Sequence, residues 1–157
     1  MNPQDATEYI IETSKKHGAD KVQCTVMDIE KKELNIDSGE MSLFRTTFNS
    51  SVGFTIYKDN RKGSTSINKM DKDSIDGAIK NVIELANSSE PDEAYDIASH
   101  QKPKSFSSGK STPDMDRMYD RLAEFSDYTK SRYPKVILEQ AIIDISDNLN
   151  IIISYLG

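Results

Sequence analysis

Apolar residues recur at helical spacing near the start of the chain. Ala6, Tyr9, Ile10 and Thr13 share one face of a helix that we predict over residues 3–17. An asparagine followed by a proline precedes this face, and two lysines, a histidine and a glycine follow it. These residue types are typical of the beginning and the end of a helix.

Period-two alternation replaces the helical spacing over residues 20–68. This pattern predicts several short strands in an antiparallel meander, with one face of the sheet covered. Turn residues occur at 37–40, 49–51 and 58–61. The predicted strands are centred on residues 22–26, 34–36, 44–48, 52–56 and 63–67.

Helical spacing returns after the strands. Asp71 is placed to cap a second helix over residues 71–88, which would cover the sheet. A third helix is predicted to begin with Thr112 as its cap and Pro113 in its first position, and to end before Tyr133. The apolar stripe of the second helix contains Ile75, Ala78, Ile79, Val82, Ile83 and Ala86; that of the third contains Met115, Met118, Tyr119, Leu122 and Phe125.

Residues 90–113 contain few apolar groups and many serines, lysines and prolines. We interpret this stretch as a flexible connection at the surface, and as a boundary between two subdomains. Beyond the third helix, residues 136–145 are predicted to form a strand, Asp147 and Asn148 a turn, and residues 149–155 its hairpin partner.

The expected fold class is α/β of the α+β kind: an antiparallel sheet with helices packed on it, in the order helix, strands, helix, helix, hairpin. An apolar strand at the end of a chain usually has further neighbours. We therefore expect residues 1–157 to be one N-terminal domain of a polypeptide that continues beyond Gly157 into a second domain.

Composition excludes several classes of protein. The 157 residues include 20 Lys and Arg against 26 Asp and Glu, which gives a net charge of -6. A chain of this charge lacks the basic surface of a nucleic-acid binder, so we do not expect nucleic acid as a partner. No apolar run is long enough to cross a membrane, and the N-terminus does not resemble a signal peptide. The single cysteine, Cys24, suits a cytoplasmic location.

Residues that would carry catalysis or bind metal are scarce. A hydrolytic zinc site usually needs two histidines at close spacing and a third ligand, and here only His17 and His100 occur. The alternative is a metal site built from both histidines and Cys24. Cys24 lies among apolar alternates, where a cysteine is usually a buried apolar residue. We predict no catalytic, cofactor-binding or metal-binding residue in this chain.

One basic turn offers a weaker alternative. Arg61 and Lys62 precede Gly63 and Ser64, and backbone N–H groups in such a turn can hold an anion. No complete phosphate-binding motif is present, and most basic hairpin turns are only soluble turns. Anion binding therefore stays a secondary hypothesis for this segment.

Residues 51–66 read S-V-G-F-T-I-Y-K-D-N-R-K-G-S-T-S. They resemble a strand pair of the TldD/PmbA family, the so-called modulators of DNA gyrase, with its G-x-x-V-Y and N-R-K-G-S-x-S patterns. The sequence G-A-D at 18–20, the G-E turn at 39–40 and the start of the second predicted helix at 70–75 also resemble the family. The tyrosine and the N-R-K-G-S stretch are more similar to the PmbA (TldE) branch. Of the family's final N-S-x-G pattern, only Gly157 is kept.

The resemblance implies a cytoplasmic peptidase complex of TldD-type and PmbA-type subunits that acts on unfolded peptides. It implies that zinc is bound by the TldD-type partner, through an HExxxH motif in a C-terminal domain that is absent from this chain. The chain would then have a structural role, at the subunit interface and in peptide access, with a TldD-like subunit or a second copy of itself as partner. The alternative is a stand-alone protein-interaction or regulatory module.

Overall fold

A computed structural model describes residues 1–99, 102–109 and 112–157. Three helices and four strands are present in this part of the chain: α1 (Pro3–Lys16), β1 (Lys21–Asp37), β2 (Glu40–Lys58), β3 (Arg61–Ile67), α2 (Lys72–Ser88), α3 (Met115–Arg132) and β4 (Gln140–Tyr155). The strands form one antiparallel sheet in the order β3-β2-β1-β4. The α+β fold class predicted from the sequence is therefore confirmed.

The chain divides into two compact units. The first contains Met1–Asp28, Asn49–Ser105 and Asn148–Gly157, and the second contains Ile29–Phe48 and Phe106–Asp147. The strands β1, β2 and β4 each contribute residues to both units.

The core of the first unit lies between the sheet and the helices α1 and α2. Ile10 of α1 and Ile79 of α2 are fully buried, as are the alternate residues Val22, Cys24 and Ile56 of the strands. This burial follows the predicted periodicities, 3.6 in the helices and two in the strands.

Both helices of the first unit begin at the residues that the sequence indicated. The Asn2 side chain accepts a hydrogen bond from the amide of Asp5 at 2.8 Å, and Asp71 accepts one from Ser74 at 2.9 Å. After α1 the chain turns at Gly18, whose φ of 80° is in the left-handed region that favours glycine.

Two tight turns connect the first three strands. Ser38 and Gly39 have φ values of 52° and 83°, and Asp59 and Asn60 have values of 50° and 57°. Positive φ at both central residues is typical of the two-residue hairpin turn that matches the twist of the strands. The predicted turns at 37–40 and 58–61 are therefore confirmed.

The second unit has a smaller core, where β1, α3 and β4 meet. Leu34 and Ile36 of β1 pack with Met118 and Leu122 of α3. Ala141, Ile143 and Ile145 of β4 lie against the same cluster.

The number and length of the strands differ from the prediction. The turn expected at 49–51 does not occur, because β2 continues from Glu40 to Lys58. The hairpin expected at Asp147 and Asn148 is also wrong, since both residues lie within the single strand β4. Both are exposed there, so their polar side chains reach solvent without a turn.

Three smaller corrections concern α3 and the exposed side chains. Asp114, and not Thr112, caps α3, and its carboxylate accepts from the amide of Arg117 at 2.9 Å. Tyr119 and Phe125 were expected in the buried stripe of this helix but are 50% and 49% exposed. Phe44 and Phe48 were expected on a covered strand face and are 59% and 74% exposed.

The predicted connection at 90–113 contains no helix or strand in its described residues. Part of it is nevertheless attached to the first unit. Lys21 forms an ion pair with Asp96 at 2.6 Å, the rings of Tyr57 and Tyr95 are in contact, and Ile97 is buried. The flexibility proposed for this stretch stays a prediction.

Candidate functional site

Cys24 lies in the core of the first unit and is fully buried. Burial raises the pKa of its thiol from 9.0 to about 12, because the thiolate would lose its hydration. A reactive cysteine needs an environment that lowers the pKa and admits the substrate. The position of Cys24 therefore agrees with its interpretation as an apolar core residue.

The residues considered for a metal site do not come together in the described structure. His17 is exposed and follows the last residue of α1, where its backbone amide donates to carbonyl groups of the helix. Cys24 is enclosed by the core, and His100 lies outside the described residues. Across residues 1–99, 102–109 and 112–157, no group of three His, Cys, Asp or Glu side chains is arranged to hold a metal ion.

The basic turn at 61–64 contacts the end of α2. The Arg61 guanidinium donates hydrogen bonds to the carbonyl oxygens of Asn87, at 3.2 Å, and Ser89. The Lys62 amide donates to the Ser89 hydroxyl at 3.2 Å, and its ammonium lies over the Tyr95 ring. A cation at a helix C-terminus satisfies carbonyl groups that have no partner within the helix. These contacts give Arg61 a structural role, which weakens the anion-binding hypothesis.

A charged cluster occupies the strands of the second unit. The Lys31 ammonium lies 2.6 Å from Asp144 and 3.2 Å from Glu33. Arg45 contacts the other carboxylate oxygen of Glu33 at 2.8 Å. Glu33 is buried, and Lys31 beside it holds the pKa of its carboxyl below the usual value. Two cations and two anions balance, so the cluster has no charge left for an ionic ligand.

The first unit contains a polar groove with a volume of about 640 Å³. It lies between the middle of β2, the end of β3 and the first turns of α2. Hydroxyl and amide groups dominate its lining: Asn49, Ser50, Ser51, Thr65, Ser66, Asn68, Ser74 and Asn81, with Lys69 and Asp73 as the charged members. Such a lining can form hydrogen bonds but does not specify one class of ligand.

The second unit contains an apolar groove, the β2–α3 groove, with a volume of about 460 Å³. It is lined by Leu34, Met41, Ser42, Leu43, Phe44, Met115, Asp116 and Tyr119. Asp116 is the only charged residue in this lining, and Phe44 and Tyr119 are at least half exposed. Exposed apolar groups that line a concave surface are typical of sites that bind another molecule.

The second unit also has many exposed apolar side chains outside the β2–α3 groove. Phe48, Phe125 and Tyr128 are about half exposed or more, and Ile137 is 84% exposed. The first unit has a larger core, and fewer of its large apolar residues reach the surface. The second unit is therefore the better candidate for contact with another protein.

Comparison with known families agrees with the fold. Residues 26–86, from β1 to the end of α2, match the family described as PmbA/TldA metallopeptidase domain 1. The match covers about two-fifths of the chain and shows that this stretch is similar to the first domain of that family. The matched range includes the N-R-K-G-S segment on which the resemblance in the sequence rests.

Solved structures of similar fold span nearly the whole chain. TldE from Thermococcus kodakarensis is 16% identical over 97% of this chain, with a TM-score of 0.76. A protein from Bacteroides thetaiotaomicron is 15% identical over 97%, with a TM-score of 0.73. A third, from Thermotoga maritima, is 13% identical over 98%, with a TM-score of 0.65. The last two are described as candidate modulators of DNA gyrase.

The chain spans 35% of the T. kodakarensis and T. maritima proteins and 36% of the B. thetaiotaomicron protein. No curated protein matches its sequence. Among the helices of the described residues, none has the length and apolar character needed to cross a membrane.

Sequence reasoning did not find the β2–α3 groove. The alternation over residues 44–48 predicted a covered strand face and not an exposed groove. The residues of α3 that complete the groove are more than 70 positions away along the chain. The sequence signal that could have indicated this groove is the number of large apolar residues in 41–48, a stretch with one charged residue.

Proposed function

We propose that this chain is the N-terminal domain of a PmbA (TldE)-like subunit in a cytoplasmic TldD/PmbA-type metalloprotease complex. Its role is to form part of the subunit interface and of the wall through which unfolded peptides reach the active site. Zinc and the catalytic groups belong to a TldD-type partner. The observation that carries the proposal is the match of residues 26–86 to the first domain of a metallopeptidase family.

Two features of the structure support a structural role. Cys24, the one nucleophilic thiol, is enclosed in the core with a raised pKa. The exposed apolar side chains of the second unit outside the β2–α3 groove, such as Phe125 and Tyr128 of α3, resemble a surface that is covered in a larger assembly. The fold likeness to TldE over 97% of the chain favours the PmbA (TldE) branch.

Reconstitution with a TldD-type subunit that has the HExxxH motif tests the proposal. We expect the chain alone to hydrolyse no unstructured peptide, with or without zinc, and to co-elute with the TldD-type subunit in size-exclusion chromatography. The double variant Phe125→Ser/Tyr128→Ser, outside the β2–α3 groove, should weaken co-elution. Leu85→Ser, at an exposed position of the first unit, should leave it unchanged.

Turnover by the chain alone would contradict this proposal if it survived repurification and disappeared on substitution of one of the chain's own residues. Failure of the chain to bind any TldD-type subunit, together with stable self-association, would favour a homodimer. That outcome would replace the partner that we propose.

A stand-alone regulatory module is the second candidate function. It is favoured by the description of two similar structures as candidate modulators of DNA gyrase. A supercoiling assay with purified gyrase separates the two candidates. A change in supercoiling rate on addition of the chain, without any peptidase subunit, would support the regulatory function.

A further inference from the structure

The strand β2 has an open edge in the second unit. It pairs with β3 only from Val52 to Lys58, against Arg61–Ile67. Residues 40–48 therefore have β1 on one side, and no strand of the described chain on the other. All nine of these residues are exposed. Backbone N–H and C=O groups along such an edge are free to pair with another extended chain.

The edge lacks the features that usually prevent pairing. Proteins protect edge strands with proline, with lysine or with other charged side chains. Residues 40–48 contain no proline. Of their two charged side chains, Glu40 lies 3.6 Å from Lys130 of α3, and Arg45 contacts Glu33 of the neighbouring strand at 2.8 Å. The Arg45 guanidinium is thus paired within the sheet, and the backbone edge stays available to another strand.

The β2–α3 groove runs beside this edge and would receive side chains of an added strand. Met41, Leu43 and Phe44 line it from β2, and Met115 and Tyr119 line it from α3. In an extended peptide alternate side chains point the same way. A strand added to β2 would therefore place every second side chain in this apolar groove, as in other cases where a peptide adds to a sheet edge.

Charge restricts the occupant further. Asp116 lies in the groove, is exposed, and has no ion-pair partner among the described residues. Asp120 follows it by one helical turn and is also exposed. Two carboxylates on this side of α3 favour a cation in the bound peptide.

We propose that the open edge at residues 40–48 binds an extended peptide by strand addition. The peptide has apolar side chains at alternate positions, which enter the β2–α3 groove, and a lysine or arginine opposite Asp116. This inference rests on the proposed function for its biological meaning, because a peptidase complex must hold unfolded peptides. The binding itself is a property of this chain and is measured without any partner subunit.

Fluorescence anisotropy on the 157-residue chain tests the proposal. The probe is a fluorescein-labelled octapeptide in which leucine alternates with threonine or serine and one central polar position is lysine. Two further peptides have N-methyl groups on the odd-numbered or on the even-numbered amides. Because only alternate amides of an added strand face the edge, one methylated peptide should bind about tenfold more weakly, and the other about as well as the parent.

Protein variants locate the site. Leu43→Ser should weaken binding of the parent peptide, whereas Ile137→Ser, at an exposed position outside the groove lining, should not. Asp116→Asn should reduce the preference for the lysine peptide over its glutamate counterpart by about fivefold. Circular dichroism and urea unfolding of each variant show whether the fold is intact, and loss of binding counts only for a folded variant.

Several outcomes would overturn the inference. Equal effects of the two methylation patterns would exclude strand addition, and equal affinity for the lysine and glutamate peptides would exclude the role of Asp116. A dimer that is abolished by Leu43→Ser and not dissociated by the peptide would assign the edge to a second copy of the chain. None of these results depends on a TldD-type subunit, so failure of the proposed function would be seen separately.

Discussion

Gly63 of β3 lies directly against the backbone of α2 at Val82. A Cβ atom at Gly63 would overlap the carbonyl oxygen of Val82 and would lie 3.0 Å from the amide nitrogen of Ala86. The helix therefore packs against the strand at a distance that only glycine permits. This contact gives a physical reason for glycine in the N-R-K-G-S segment, on which the resemblance to the TldD/PmbA family rests.

We predict that Gly63→Ala destabilises the chain by about 3 kcal/mol, because α2 must move away from the sheet to admit the methyl group. Gly77→Ala is the matched control in α2. A Cβ at Gly77 would meet nothing within 4 Å, so this exposed helical position should gain about 0.5–1 kcal/mol. Urea unfolding measures both changes. Equal free energies of unfolding for the two variants would contradict the close packing of α2 against Gly63.

Two phenylalanines of β2 should respond differently to the same substitution. Phe54 is 3% exposed in the first core, whereas Phe48 is 74% exposed. Phe54→Asp should abolish cooperative unfolding, because an unpaired buried charge costs several kcal/mol. Phe48→Asp should change the free energy of unfolding by only about 0.5 kcal/mol. A folded Phe54→Asp variant with native circular dichroism would contradict the position of this core.

Cys24 should be unreactive in the folded chain. Because burial raises its pKa from 9.0 to about 12, the thiolate fraction at pH 8 is lower by about a thousandfold than that of an ordinary cysteine. Iodoacetamide labelling followed by mass spectrometry should therefore be slow in buffer and rapid in 6 M guanidinium, a condition that exposes the thiol. Labelling in buffer at the rate of a free cysteine would show that the core opens readily.

The carboxylate of Asp71 should stabilise α2 in a manner that depends on pH. Hydrogen bonds from the amide and hydroxyl of Ser74 hold the pKa of Asp71 below its usual value of 3.8. Such a group contributes stability that is fully present above pH 3.8 and is lost as the pH falls through the lower, folded value. Wild type should therefore exceed Asp71→Asn in stability at pH 7 and pH 5, and the difference should shrink toward pH 2.5.

Urea midpoints at these pH values measure the effect of Asp71. Asp127→Asn, late in α3, is the control, since its carboxylate is far from a helix N-terminus and its removal should not reproduce this dependence. A difference between wild type and Asp71→Asn that grew on acidification would contradict the prediction, because it would require a raised pKa.

The sequence by itself determined the features that depend on neighbouring residues. Asn2 and Asp71 identify the beginnings of α1 and α2 because a cap is formed between residues three apart. The turns at Ser38 and Asn60 were equally predictable, since a two-residue hairpin needs residues that tolerate positive φ. The N-R-K-G-S segment resembles the TldD/PmbA family, and it lies within residues 26–86, which match the first domain of that family.

Only the tertiary structure decided how far the strands continue and which apolar residues are covered. Asp147 and Asn148 favour a turn locally, but pairing with a distant strand keeps them extended within β4. Phe48 and Phe54 have the same side chain in the same strand, and just one lies beneath the helices. The open edge of β2 likewise arises because β3 ends at Ile67, so that its pairing with β2 ends at Val52. No local sequence pattern marks where this pairing ends. Strand pairing and burial depend on contacts between residues that are far apart in the chain. These contacts form only in the folded state, so the local sequence does not predict them.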